Sequence, residues 1–345
     1  MRAAVLRRGR MVVADVPEPV PGRGQVLVAV KACGICGSDL HFAHAGAEDL
    51  AIRRQMERAL SAGGTADIDL DADVFMGHEF VAEVLEPGPD TECLPAGTVV
   101  TAFPGLRTPT GMAGILYSNT IHGGFGERML LTARLLLAVP NGLPEAHAAL
   151  TEPLAVGLHA ANRAEIGAND GAIVLGAGPV GQAVIAALRM RRVAPIIAAD
   201  LSETRRNLAV AMGAHEAVDP RIDPPFDAWD RHGREHPPVV FDAVGAPGVL
   251  NEAIRTAPRR TRLVIVGTCV GGDTITPYWA LAKELDIRFS MAYNRTEFAD
   301  SLRALGEGEV DVTPLITGQV DLDGVQDAFD LLASPQDHCK VLVTP

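Results

Sequence analysis

Cys33, Cys36, Ser38, Asp39 and His41 fall within one short stretch, KACGICGSDLH at positions 31–41. A C-x-x-C pair admits three chemistries: a dithiol–disulfide couple, half of a structural zinc site, or one working thiolate beside a cysteine that only packs. Further along, MGHEF at 76–80 sets His78 next to Glu79. Thiolate, imidazole and carboxylate are all zinc donors, and an open catalytic site needs only three of them. Taken singly, each residue also has a plain structural reading. A buried cysteine, for example, commonly behaves as a small hydrophobe.

A second chemistry is written in VLGAGPVG. Gly176, Gly178 and Gly181 have G-x-G-x-x-G spacing, with Pro179 and Val180 between the last two. The run follows an apolar strand pattern and opens a helical one, which is the context a dinucleotide fingerprint requires. The first glycine permits a tight turn, the second lets a pyrophosphate approach the backbone, and the third lets helix and strand pack closely. Asp200 follows Gly176 by 24 residues, at the end of the next strand pattern. A carboxylate there accepts hydrogen bonds from ribose hydroxyls and repels a 2′-phosphate, so NAD is expected ahead of NADP. Arg205 and Arg206 nearby soften that preference.

These groups need elements to hold them. Up to about residue 150 the pattern is of short strands punctuated by Gly and Pro: QVLVAVKAC, EFVAEVLEPG, PAGTVVTAF and ERMLLTARLLLAVP. The texture changes at LTEPLAVGLHAANRAEI, which has helical spacing. From GAIVLGAG onward strands and helices alternate through PVGQAVIAALRMRR, APIIAAD, ETRRNLAVAMGA, VVFDAVGA and TRLVIVGT. That alternation predicts a doubly wound parallel sheet. One segment interrupts the strand-rich part: AEDLAIRRQMERALSAGG (47–64) predicts a charged helix, followed by the acidic run DIDLDAD.

Composition narrows the function classes. Of 345 residues 48% are apolar and only 4% aromatic, and the net charge is −13. Negative charge opposes phosphate backbones and anionic lipids, and few aromatics leave no stacking platform for single strands. Neither nucleic acid nor membrane is therefore an expected partner. No stretch reaches the length of an apolar membrane span, and MRAAVLRRGRMVV lacks the continuous apolar run of a secretory leader. Five cysteines, an odd and sparse number, fit reduced thiols. A cytoplasmic location is expected.

The ordered set CGICGSDLH, GHE, TEPLAVGLHA and GAGPVG resembles the zinc-dependent medium-chain dehydrogenase/reductase family. Its polyol, threonine and secondary-alcohol dehydrogenases are nearest in style. The similarity runs nearly end to end, through KELDIRFSMAY and LDGVQDAFDLLASPQDHCKVLV. The resemblance implies that Cys36 and His78 bind one catalytic zinc per subunit, with Glu79 or Glu152 as the third ligand. It implies that Asp39 orients a ligand, that Ser38 hydrogen-bonds the substrate hydroxyl, and that His41 receives the proton by way of the cofactor ribose. It assigns the metal to Cys36 and leaves Cys33 as a packed strand-end residue. Lys340 is expected either to contact cofactor phosphates or to be a solvated strand end. His44 and His122 are expected in surface or loop roles.

Two departures stand out. The region AFPGLRTPTGMAGILYSNTIHGGFGE has none of the cysteines that hold a structural zinc in many members, so no such zinc is expected. And 41 residues separate Cys36 from His78, a long spacing that the 47–64 helix and acidic loop account for. Following His41 so closely, this insert is expected as a mobile element at the mouth of a cleft.

The resemblance implies a GroES-like β-rich catalytic domain over 1–152 with a helical insert at about 44–74. An NAD-binding Rossmann domain follows over 153–290, and 291–345 returns to the catalytic domain. The activity implied is NAD- and zinc-dependent interconversion of a small secondary or polyol-like alcohol and its ketone or aldehyde, in a homodimer or homotetramer. Two alternatives are a zinc-free quinone or enone reductase of the same superfamily, whose members lack these metal donors, and a non-catalytic nucleotide-binding protein.

Overall fold

The computed structural model describes residues 1–60, 68–140, 142–233, 236–333 and 338–345. The chain divides into two compact units, Met1–Glu152 together with Ile316–Pro345, and Pro153–Leu315.

The first unit is organised on the long strand Gln25–Gly34, buried along most of its length, with a β period of two showing over Val28–Ala32. It pairs antiparallel with Glu79–Pro87, Arg128–Thr132 and Lys340–Val343. Beyond these neighbours lie Val99–Ala102, Leu136–Ala138 and Ile316–Val320, making a seven-stranded sheet. The register matters for chemistry. Gly34 faces Glu79 on one side and Leu342 on the other, so the end of this strand delivers Ile35 and Cys36 between Glu79 and Lys340. Phe42, Phe80, Phe125, Met129 and Leu131 fill the core beside it.

Immediately after Cys36 the chain turns into the helix Gly37–Leu60, which is kinked at Ala45 (φ −128°, ψ 28°). The insert is therefore the continuation of the helix that carries Ser38 and His41. Leu50, 2% exposed, anchors it in the core. The expected mobility does not suit this anchored part. Residues 61–64 of the expected helix, and Asp67 of the acidic run, lie outside the described residues.

The second unit holds a six-stranded, wholly parallel sheet. Its order is Glu216–Val218, Ile196–Ala199, Ala172–Leu175, Val239–Asp242, Arg262–Ile265, Asp286–Phe289. Counted along the chain this is 3-2-1-4-5-6, the doubly wound dinucleotide-binding order, with the reversal between Ala172–Leu175 and Val239–Asp242. The inner strands are near-continuous apolar runs because both faces are covered.

Residues 291–315, expected with the C-terminal return, lie in this second unit, and the chain re-enters the first at Ile316. The helix Arg295–Gly306 is tied there by Glu297. That carboxylate meets His159 Nδ1 at 2.9 and 3.0 Å and accepts from Asn162 at 2.6 Å. No helix among the described residues is long and apolar enough to cross a membrane.

Candidate active site

In the first unit, donor atoms of Cys36, His78 and Glu79 all lie within 4.8 Å of one another. Cys36 is half-buried at the end of the central strand, His78 is 5% exposed and Glu79 1%. Two local features make room. A Cβ on Gly34 would sit 2.0 Å from Glu79 Oε2, so the carboxylate packs where only glycine leaves space. Asp39, fully buried in the first turn of the helix, accepts the Cys36 backbone N–H at 3.0 Å through Oδ2. Its other oxygen lies 3.6 Å from His78 Nδ1. Neither Asp39 Oδ1 nor His78 Nδ1 has a hydrogen-bond partner among the described residues.

Charge at this cluster is dominated by anions. Burial alone would lower the His78 pKa, but Asp39, Cys36 and Glu152 together hold it well above the ordinary imidazole range. Burial likewise raises the Asp39 carboxyl, an effect only partly offset by His78 and the Cys36 N–H. A thiolate, an imidazole and a carboxylate converging in surroundings this negative fit a divalent cation. Glu152, 9% exposed, is near enough to act on His78 but stands outside the close group of three.

Lys340 is neither solvated nor pointed at open space. It is 2% exposed and donates to Glu79 Oε1 at 2.7 Å, Glu79 Oε2 at 2.6 Å and the Ile35 carbonyl at 3.1 Å. Burial would lower its pKa, yet Glu79 and Cys36 raise it above the ordinary lysine range. Sequence reasoning did not anticipate this pair. The available signal was a charge inside the apolar run CKVLV, because a buried charge requires a partner.

Ser38 is exposed on the first turn, and His41 is half-buried with an unpartnered, buried Nε2. Beside them stands Tyr117, 3% exposed, which sequence reasoning also missed because ILYSNT carries no motif. Its phenol is raised by burial and by Asp39, while the Ser38 hydroxyl works in the opposite direction. Cys33 is fully buried, and burial pushes its thiol well up. His44 is exposed, and His122 rests against the Phe75 ring at 4.2 Å.

In the second unit the glycine fingerprint has the expected division of labour. Gly176 has φ +85°, closed to most side chains. A Cβ on Gly181 would lie 1.9 Å from the Gly176 carbonyl oxygen, whereas one on Gly178 would meet nothing nearer than 3.8 Å. Gly178 thus leaves open the approach to the helix Pro179–Met190, whose first N–H groups no side chain caps. Asp200 accepts the backbone N–H groups of Ala177 and Ser202, each at 2.8 Å. Arg205 lies 4.0 Å from Asp200 and has a buried, unpartnered Nε. Arg206 is turned to the Asp200 and Leu201 carbonyls and to Asp219. The two arginines are therefore not equivalent: Arg205 has a buried Nε without a partner beside Asp200, whereas Arg206 spends its Nη1 on the backbone and Asp219.

Residues 22–141 match the alcohol dehydrogenase GroES-like domain, and residues 179–307 match the zinc-binding dehydrogenase domain. The chain is 31% identical to the (R,R)-butanediol dehydrogenase of Bacillus subtilis, over 96% of each chain. The crystal structure of 2R,3R-butanediol dehydrogenase from that organism superposes with a TM-score of 0.83, covering 100% of this chain and 99% of the other. An Escherichia coli alcohol dehydrogenase complexed with NADH is 25% identical, with a TM-score of 0.82 over 100% of this chain and 99% of that one. A zinc-binding dehydrogenase of Sinorhizobium meliloti bound to NADP is 26% identical, with a TM-score of 0.82 over the same shares.

Proposed function

Since the chain belongs to the zinc-dependent alcohol dehydrogenases of the medium-chain dehydrogenase/reductase family, we propose that it oxidises a secondary or polyol-like alcohol to its ketone with NAD, reversibly. The observation that carries this reading is the Cys36–His78–Glu79 donor cluster, within 4.8 Å in a chain 31% identical to a butanediol dehydrogenase.

Cys36 and His78 would hold one zinc ion, with Glu79, whose two oxygens also accept from Lys340, as the third donor by proximity and Glu152 as the alternative close to His78. When bound, zinc supplies a Lewis acid that lowers the pKa of an alcohol hydroxyl, and nicotinamide supplies a hydride acceptor. Asp39 faces His78 Nδ1 and so directs the opposite ring nitrogen toward Cys36. The Ser38 hydroxyl would hydrogen-bond the alcohol hydroxyl, and His41, whose buried Nε2 has no partner among the described residues, would receive the proton by way of the cofactor ribose. Gly176, Gly178 and Gly181, with Pro179 and Val180, receive the pyrophosphate at the helix N-terminus. Asp200 receives the ribose hydroxyls, and Arg205 flanks them. A zinc-free reductase has no use for the three donors, which disfavours that alternative.

The chain is proposed to assemble as a homodimer or homotetramer. Supporting this, Tyr278, Leu281, Phe289 and Met291 are 67–75% exposed, and Asp286–Phe289 ends its sheet with a free edge. Light scattering reads the assembly directly.

The deciding experiment is metal analysis of the purified protein, followed by NADH formation over a panel of vicinal diols, polyols and simple secondary alcohols. About one zinc per chain, and turnover of a diol or polyol with NAD, is the expected result. A metal-free protein that reduces quinones, or no turnover of any alcohol with either nicotinamide cofactor, overturns the reading.

A further inference from the structure

Inside the second unit a cavity of about 400 Å³ opens beside the far end of the helix Pro179–Met190, a volume within the range of small-molecule pockets. None of its residues is among those proposed for metal or cofactor. Its wall is built by Ala186 and Arg189 of that helix, by residues 210–215 at the end of the helix Glu203–Met212, and by residues 309–311. Three kinds of group meet there. The first is a pair of donors. Gly213 ends its helix at φ +116°, and a Cβ on it would stand 3.0 Å from Arg189 Cδ and 3.1 Å from Cγ. The arginine stem therefore lies across the turn that leads to His215. The tautomer of His215 is fixed: Nδ1 accepts the Ile196 backbone N–H at 3.0 Å, which leaves the proton of the neutral ring on Nε2. Burial, Arg189 and His232 all lower the His215 pKa, so the neutral ring is the form present at pH 7.

The second kind is acidic. Glu309 pairs through Oε1 with Arg303 at 2.8 Å rather than with Arg189, and Asp311 Oδ1 accepts the Thr313 N–H at 2.9 Å. A carboxylate has about four acceptor positions, so each acid keeps capacity for a further donor. The carbonyl end of the helix Glu203–Met212 lines the same cavity and also favours positive charge. The third kind is apolar: Val210, 52% exposed, with Ala186 and Met212. A simple anion here would be repelled by the two acids, and a simple cation by Arg189. A molecule carrying one charge of each sign and a small apolar group complements all three. We propose that this cavity binds a free α-amino acid with a short apolar side chain, its carboxylate on Arg189 and His215 Nε2 and its ammonium on Glu309 and Asp311. The planar guanidinium fork suits a carboxylate, and the side chain rests on Val210. This site is independent of the alcohol chemistry proposed above.

The test is titration calorimetry of the full chain with glycine, alanine, valine and leucine. Beside them run 3-methylbutanoate and isobutylamine, which keep the shape of valine but only one of its charges. Valine or leucine is expected to bind with a Kd of about 1 mM or tighter, and each single-charge analogue about tenfold more weakly or worse. Arg189→Gln should weaken binding about tenfold or more, Arg189→Lys should recover part of that loss, and Asp311→Asn should weaken it about threefold. All three positions are open to solvent or at its edge, so melting temperatures should not move. Amino acids also chelate zinc. The titration is therefore repeated on Cys36→Ser, in which the donor group of the first unit is broken, and the same Kd is expected.

The inference falls if no amino acid of the panel binds at about 10 mM. It falls as well if 3-methylbutanoate binds as tightly as valine, which would make the cavity a plain anion site. Binding that survives Arg189→Gln unchanged would lie elsewhere on the molecule, and binding lost in Cys36→Ser would be chelation at the metal cluster. Either result also overturns it. A wild type that turns over no alcohol leaves this test untouched, because calorimetry reads the cavity without the reaction.

Discussion

Every residue proposed to touch the dinucleotide backbone lies between Gly176 and Arg205, in the turns after two strands and the first turns of the helices Pro179–Met190 and Glu203–Met212. The metal cluster of the first unit is assembled otherwise. Cys36 follows the end of one strand by two residues, His78 precedes and Glu79 begins another, Glu152 lies in the first turn of a helix, and Lys340 begins a strand within six residues of the last position. The first site is local, and its spacing is its geometry. The second exists only once three strands have paired in register, since Gly34 must face Glu79 and Leu342 for the donors to meet. A local site tolerates repair of one contact at a time. A site knotted through the sheet makes each of its charged members depend on the others.

The sharpest test of that difference sets Cys36→Ser beside Cys33→Ser. The two thiols are one turn of sequence apart, but one is a member of the donor group and the other is a fully buried packing residue against Gly124. Replacing Cys36 puts a neutral hydroxyl where an anionic donor stood, so zinc and about three orders of magnitude or more of turnover should be lost. Cys33→Ser should retain both and cost about 1–2 kcal/mol of stability. Metal content and initial rates of the pair decide it. Equal loss in both would return the C-x-x-C to a shared role.

Next in size is the buried pair of Lys340 and Glu79. Breaking one half of such a pair leaves an uncompensated charge, at a cost of about 3–5 kcal/mol, whereas removing both halves costs far less. Lys340→Met should therefore destabilise by that amount, and Lys340→Met with Glu79→Gln should recover much of it. Denaturant titration of the two variants measures the coupling. If the double variant is as unstable as the single, the lysine matters through contacts other than Glu79.

How far the sequence could be read follows the same division. The strands GAIVL, APIIAAD and VVFD, and the helix opened by Pro179, were legible because pattern and turn chemistry are local. So was the strand Gln25–Gly34. Glu216–Val218 was too short to show a period, and Asp286–Phe289, with two charged residues in four, did not look like a strand. The helix starts at Gly37, ten residues before the helix predicted over 47–64, because packing of Phe42 and Leu50 overrides the weak helix preference of the glycines there. The close donor group could be proposed only from the resemblance, because no spacing rule links position 36 to position 78. Tyr117 and the Glu79–Lys340 pair left almost no trace, being products of register.

In the local site a substitution should act on the dinucleotide preference and leave the metal cluster untouched. Asp200→Ser removes the carboxylate that would repel a 2′-phosphate and leaves Arg205 with its free Nε as the nearest charge. Relative use of NADP over NAD should rise about 10- to 100-fold, roughly 1.4–2.7 kcal/mol, with zinc content untouched. The ratio of kcat/KM for the two cofactors is the readout. A wild type that already favours NADP would contradict the role given to Asp200.

The smallest effect expected probes the part of the second unit that is not local. Glu297 sits at the third position of its helix, closing a capping box with Asn294, and reaches back to His159 and Asn162 more than a hundred residues earlier. Burial alone would raise its pKa, but Asn162, the Asn294 N–H and His159 together hold it below the ordinary glutamate range. The sign follows. A carboxylate whose folded pKa is depressed adds stability that is fully present above its unfolded pKa and is lost as pH falls through the folded one. Glu297→Gln keeps the shape and some hydrogen bonds but removes the charge. It should cost about 1.5 kcal/mol near neutral pH, the value of hydrogen bonds to a charged group. That difference should shrink toward zero in acid, below the ordinary glutamate range, where the wild-type carboxylate is itself protonated. Unfolding followed from neutral pH into acid measures both limbs. A cost that stays constant with pH would show that Glu297 contributes through packing and capping alone, and would leave the second unit as local in its energetics as it is in its cofactor site.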